Sequence, residues 1–417
     1  MESQFYASNR SRLWDSLPNR SLAVLFAGEE LRKSADACYP FYADRNFLYL
    51  TGIRQKQSIL LAVKNEAGTV SETAYLLPKD AMAERWTGRR LTVEEARELS
   101  GVETVKDLST FPQDFHALAQ SGRYASVWLD LYRNSPQDLP RLGHRFAQSA
   151  GQEYPQLSLS DLSPFLKKLR LIKQPCEIEA LRMAEKITGE AILAMMRASR
   201  PGMYEYQYKA EFDRVLGQYG PQEPGFASII SAGANNFCIH YDSYTGVAQD
   251  GDMILNDVGA RWEDVTVDVS RSWPCNGKFS ERQRLLYECA LATSDYMFSI
   301  IRPGMKMADV DGTIRRHCAQ LLVNAGVLDK VENAGRYMWH GGAHHIGFDC
   351  HDVVERPETI APGMVFCVDV GIYNEEWGIG FRLEDNCLVT ETGCENLSAA
   401  IPRTVEAIEA YMAENHG

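Results

Sequence analysis

Carboxylates stand where this chain can least accommodate them. Residues 364–373, MVFCVDVGIY, set Asp369 inside an almost wholly apolar strand, where an unpaired buried charge is very costly. Asp257 lies in the similar context MILNDVG at 253–259. A second run, 264–273, is joined to it by a turn around 261–263; Val265, Val267 and Val269 point one way, and Thr266, Asp268 and Ser270 the other. In IGFRLEDNCLVT, residues 379–390, Phe381, Leu383 and Asp385 share one face while Arg382, Glu384 and Asn386 share the other, so Glu384 and Asp385 cannot both face the core. Any one of these aspartates alone reads as a strand-end cap or a solvated face. A cation shared among the acids removes the burial penalty and is the simplest common explanation.

The acids follow an internal echo. Arg200-Pro201-Gly202-Met203 recurs as Arg302-Pro303-Gly304-Met305, each time after an apolar helix-like run and before another amphipathic helix. Each half then delivers strands with two acids, Asp257 and Asp268 in the first and Asp369 and Glu384 in the second. A duplicated half-domain facing itself brings four carboxylates to one seam.

Of nine histidines, four fall within WHGGAHHIGFDCH: His340, His344, His345 and His351. The His340 to His344 spacing imitates a helical zinc pair, but the glutamate of H-E-x-x-H is missing and Gly341-Gly342 spoils the helix, which rejects a zincin. His240 stands 17 residues before Asp257 and His351 stands 18 before Asp369, so these two read as duplicated partners; singly, each reads as a structural histidine.

The chain of 417 residues suits two domains. Residues 1–172 alternate strand-like runs (22–26, 47–50, 59–63, 74–77) with helix-like stretches such as 92–99, which predicts an α/β domain. After a basic cluster at 167–173, Pro175 opens a helix, and the second domain is taken as 173–417. The formal charge of −13 disfavours nucleic acid and anionic membrane as partners. The start MESQFYASNRSRLWDSLP lacks the basic and apolar regions of a signal peptide, and no apolar run reaches about 18 residues, so a soluble, cytoplasmic protein is expected. Ten cysteines without a C-x-x-C pair read as reduced, mostly buried thiols, with Cys350 in a packing role.

At these residues the chain resembles a known family, aminopeptidase P with the related prolidases, whose catalytic domain is the α+β pita-bread (creatinase/aminopeptidase) fold. The resemblance covers nearly the whole chain. SADACYPFYADRNFLYLTG and ERWTGRRL are similar to that family's N-terminal domain, and IKQPCEIEALR, VDVSRSWPCNGKF, HGGAHHIGFDCHD and GIGFRLEDN to its successive catalytic signatures. The resemblance implies two divalent ions, most readily Mn²⁺ with Co²⁺ or Zn²⁺ as alternatives, held by Asp257, Asp268, His344, Asp369 and Glu384, with Asp268 bridging. This hard, oxygen-rich set excludes thiolate chemistry. The resemblance also gives His340 and His351 contact with the substrate and its carbonyl, His240 a place beside them, and Arg382 the support of the carboxylates; Tyr373 and Trp86 are pocket candidates, and His345 is structural. The implied function is a dinuclear Xaa-Pro aminopeptidase acting on peptides with proline second, and the family implies a homo-oligomer. The alternatives are a prolidase confined to dipeptides, a metal-independent creatinase-like hydrolase, disfavoured by metal-capable residues at all five positions, and a non-catalytic binding protein on the same fold. One departure matters: Asp369-Val370 stands where the family carries Glu-Pro, which draws the oxygen back by about one carbon–carbon bond, on the order of 1.5 Å.

Overall fold

A computed structural model of the chain describes residues 1–220 and 223–415. It divides into two compact units, Met1–Leu169 and Arg170–Gly417.

The first unit is built on a six-stranded mixed sheet. Its strands run in the order Thr104–Asp107, Val70–Leu76, Ile59–Lys64, Ser21–Phe26, Ser126–Leu129 and Ser158–Asp161. Ser21–Phe26 pairs antiparallel with Ile59–Lys64 and parallel with Ser126–Leu129. Leu22, Val24, Leu61, Tyr75, Val127 and Leu129 bury against Phe111 and Phe115 of the helix Phe111–Gln120. One expectation is corrected: residues 47–50 are not a strand but lie in the helix Arg45–Thr51. The Asp44 side chain accepts from the backbone N–H of Asn46 and Phe47, and Gly52 closes the helix in the left-handed region at φ 68°. These two caps outweigh the β-type residues between them.

The second unit carries the echo into structure. Each RPGM segment follows a long helix, Pro175–Ala198 or Glu281–Ile300, and precedes a second one, Glu205–Gln218 or Ala308–Asn324. The glycines match in conformation, Gly202 at φ 83° and Gly304 at φ 86°, a region where a side chain is strained. Pro175 occupies the first turn of its helix, where no N–H is needed. Each helix pair leads into a three-stranded sheet, ordered Val269–Pro274, Met253–Val258, Ile229–Ala232 in the first half and Val365–Asn374, Ile379–Val389, Cys394–Asn396 in the second. Both long strands of the second sheet are buried along their whole length. Glu384 and Asp385 are therefore both interior, on opposite faces, because both faces of that sheet are covered. Asp385 is matched by Arg271 Nη2 at 2.6 Å and Arg403 Nη2 at 3.0 Å.

The strand expected over 264–273 is interrupted. A turn at Glu263 and Asp264, both at positive φ, returns the chain, Val265–Thr266 pairs with Arg261–Trp262, and regular pairing resumes only at Val269. Asp268 falls in the gap. There its backbone N–H is 3.3 Å from Asn386 Oδ1, and its carbonyl accepts from the Asn386 amide. A side chain replaces the strand partner, and Asp268 is held by the opposite half. Among the described residues no helix is long and apolar enough to cross a membrane.

Candidate metal centre

The seam between the two half-sheets collects the acids. Asp369 stands directly opposite Glu384 in the antiparallel ladder, as Asp257 stands opposite Ser270. Asp257, Asp268, Asp369 and Glu384 are 9, 4, 9 and 2% exposed. Ligand atoms of Asp257, Asp268 and Glu384 lie within 4.8 Å of one another, as do those of Asp268, His344 and His351, and those of His344, Cys367 and Glu384. His344 Nε2 is 3.4 Å from Asp268 Oδ2 and 3.7 Å from Glu384 Oε1. Asp369 is in none of these tight groups; its Oδ2 instead meets His340 Nδ1 at 3.1 Å.

The electrostatics of this cluster call for positive charge. Burial first, then Asp257, pushes the Asp268 carboxyl well above the usual carboxylate range. Glu384 is raised likewise, by burial and then by Asp268 and Asp369. Asp257 Oδ1, Asp268 Oδ1 and Asp369 Oδ1 are buried without a hydrogen-bond partner. Several orphaned carboxylate oxygens aimed into one seam fit a divalent cation, which supplies the missing partner and cancels the repulsion.

A hydrogen-bonded chain runs beside the acids. Arg382, 2% exposed, donates from Nη2 to Asp257 Oδ2 at 2.8 Å and from Nη1 to the Tyr373 hydroxyl at 3.0 Å and to the Ile239 carbonyl at 3.1 Å. The Tyr373 hydroxyl lies 2.9 Å from His340 Nε2, and having accepted from Arg382 it keeps its proton to give to that nitrogen. Burial, the largest single influence, pulls the His340 imidazole down, but Asp369 and the Gly341 carbonyl together carry the net shift upward. Gly371 makes room for this contact, since a Cβ there would sit 2.2 Å from His340 Nε2.

His351 packs its ring edge-on to His344 with centroids 4.2 Å apart. Lost hydration, then His344 and His240, hold it below its ordinary range, which places His240 within electrostatic reach on the exposed rim. Trp86 belongs to the other unit, on the helix Ala81–Thr87, with 84% of its surface exposed. His345 packs edge-on to Phe366, and burial, then Lys173, pushes it down to about 4.

Several contacts escape a reading of the sequence. Cys350, expected only to pack, donates its thiol to Asp268 Oδ2 at 2.9 Å, and the His344 N–H donates to Cys367 Sγ at 3.2 Å. Ser270 Oγ donates to Glu384 Oε2 at 2.9 Å. Strand alternation could have found Ser270, which shares a face with Asp268, and Cys367, two residues from Asp369. Cys350 is marked only by its place between Asp349 and His351.

Comparison with known proteins agrees with this geometry. Residues 179–391 match the model of metallopeptidase family M24, and residues 6–128 match the aminopeptidase P N-terminal domain. The chain belongs to metallopeptidase family M24, and its second unit is that family's pita-bread domain. It is 32% identical to the Xaa-Pro aminopeptidase of Escherichia coli, over 98% of this chain and 97% of that protein, and 29% identical to the Xaa-Pro aminopeptidase of Haemophilus influenzae, over 98% and 96%. The solved structure of E. coli aminopeptidase P with the inhibitor Pro-Leu superposes with a TM-score of 0.91 at 30% identity, covering 100% of this chain and 99% of that one.

Proposed function

We propose that the protein is a dinuclear metallo-exopeptidase that releases an N-terminal residue standing before proline. The observation that carries this reading is the convergence of four buried carboxylates and His344 on one seam, with three carboxylate oxygens lacking any partner. Asp257, Asp268, His344, Asp369 and Glu384 would hold two divalent ions, with Mn²⁺ favoured by so oxygen-rich a donor set. When bound, such ions supply Lewis acidity to the scissile carbonyl and lower the pKa of an attacking water.

The remaining roles fall to the chain itself. Asp369 or Glu384 takes the proton from the attacking water. His351 at the rim offers an N–H donor to the oxygen on which negative charge develops, and His340, its Nε2 accepting from the Tyr373 hydroxyl and its Nδ1 facing Asp369, lines the substrate beside that carbonyl. His240 borders the same opening, Tyr373 and Arg382 fix the geometry behind it, and Trp86 is a further pocket candidate. The acidic seam attracts a protonated α-amine, which favours cutting at the first residue. Cytoplasmic residence and self-association belong to the same reading; the free cysteines suit a reducing compartment, and exposed Trp86 and Met82 suit an interface.

The test is release of free alanine from Ala-Pro and Ala-Pro-Ala, with and without Mn²⁺. Cleavage of the tripeptide supports the aminopeptidase, and cleavage of the dipeptide alone makes the protein a prolidase. Mn²⁺ binding with neither peptide cut turns the reading toward a non-catalytic protein and makes Asp369 the first suspect.

A further inference from the structure

The loop that carries His344 and His351 is tied down by an ionic cluster that none of the roles above uses. Asp352, the residue after His351, has a side chain with no exposed surface, and so nearly do its two cationic partners, Arg170 and Lys173 at 2 and 1%. Lys173 Nζ donates to Asp352 Oδ2 at 3.0 Å and to the Arg170 carbonyl at 3.0 Å. Arg170 Nη2 donates to Asp352 Oδ1 and, at 2.6 Å, to Asp349 Oδ2. Burial alone would raise the Asp352 carboxyl, yet Arg170 and then Lys173 hold it down to about 2.

This cluster acts on the loop at both ends. The Asp352 backbone N–H donates to the His345 carbonyl at 2.8 Å, closing the turn between the two histidines. Inside the turn, the Gly347 N–H donates to the Asp349 carbonyl at 3.0 Å, and the Gly347 carbonyl accepts from the Thr266 N–H at 2.7 Å, two residues from Asp268. A Cβ at Gly347 would land 2.5 Å from Asp352 Oδ2 and 3.0 Å from Lys173 Cε, so the loop lies directly on the ion pair. Lys173 is itself fixed by its N–H, which donates to the Gly363 carbonyl at 2.8 Å.

We propose that Asp352, anchored by Arg170 and Lys173, is a positioning residue that sets His344 and His351 against Asp268. A buried ion pair is a poor source of net stability compared with apolar packing, but it fixes a backbone in one place, and groups that orient ligands are worth about 10–100-fold in metal affinity. The inference rests on the metal-site reading above and deepens it.

The test uses full-length protein and Mn²⁺ alone, with binding read from the electron paramagnetic resonance of free Mn²⁺ and stability from thermal melting in chelator. Asp352→Asn should weaken Mn²⁺ binding about tenfold. The double variant Asp352→Asn/Lys173→Met removes one acid and one cation together. It should melt closer to the wild type than the single variant while its Mn²⁺ binding stays weak, and it carries the comparison alone if Asp352→Asn does not fold. A double variant that binds Mn²⁺ as the wild type does would overturn the proposal, leaving the cluster a purely structural one. The readout needs no peptide, so a wild type that binds Mn²⁺ but cuts no Xaa-Pro bond sinks the peptidase reading without touching this one. A wild type without measurable Mn²⁺ binding overturns both.

Discussion

Asp369 faces Glu384 across the ladder between Val365–Asn374 and Ile379–Val389, yet only Glu384 reaches the tight groups of donor atoms. The aspartate arm ends one methylene short and is engaged by His340 instead. Asp369→Glu, advancing the carboxylate by about 1.5 Å, should tighten Mn²⁺ binding severalfold in the same resonance titration. Equal or weaker binding by the variant would show that the shorter arm does not loosen the site.

Removal of the central acid should separate metal binding from folding. Asp268→Ala takes away a buried carboxyl that its neighbours repel, so the metal-free variant should melt no lower than the metal-free wild type. Metal-dependent turnover should vanish. Mn²⁺ at about a hundredfold its dissociation constant stabilises the wild type by ~2.7 kcal/mol, and differential scanning calorimetry should find this rise absent in the variant. A full metal-induced rise in Asp268→Ala contradicts its place among the ligands.

Away from the seam, burial raises Glu185 to about 8. Ser398 Oγ donates to its Oε1 at 3.1 Å, while Oε2 has no partner. The unfolded carboxyl titrates near 4.5, so the protonated, folded form is favoured at low pH and that contribution is lost as pH rises toward 8. The loss amounts to about 1.4 kcal/mol per pH unit across that window, as an upper bound. Glu185→Gln should therefore match the wild type near pH 4.5 and be the more stable at pH 8 by urea denaturation. Equal stability of the two proteins at pH 8 would contradict the raised Glu185 carboxyl.

Arg271 ties the first half-sheet to the second, pairing with Asp385 and donating from Nη1 to the Glu384 carbonyl at 2.8 Å. Arg271→Met leaves the buried Asp385 with Arg403 as its one remaining ion-pair partner and should cost about 3–5 kcal/mol, read by chemical denaturation. A loss under 1 kcal/mol would mean that Arg403 alone neutralises Asp385.

Much of the seam is legible because strand alternation is a strict rule. Asp268 with Ser270, and Arg382 with Glu384 and Asn386, share faces by counting residues, and acids in apolar strands stand out by cost alone. What stayed hidden depends on contacts remote in sequence. Asn386 takes over the hydrogen bonds of Asp268 across 118 positions, so the break in the 264–273 strand has no local mark. Residues 45–51 carry strand-like side chains, and only the paired signals of Asp44 and Gly52 decide for helix. Both faces of Ile379–Val389 are covered by other elements, which no pattern within that segment could tell, and so Asp385 could not be placed inside beforehand.

The chain of contacts from Asp257 through Arg382, Tyr373 and His340 to Asp369 spans the two halves by four links. Its consequence is a gap gauged by the protein itself. An entering ion is measured against an opening already set, and one of the wrong radius must stretch every link rather than swing a single side chain. Discrimination by size then comes from the stiffness of the frame.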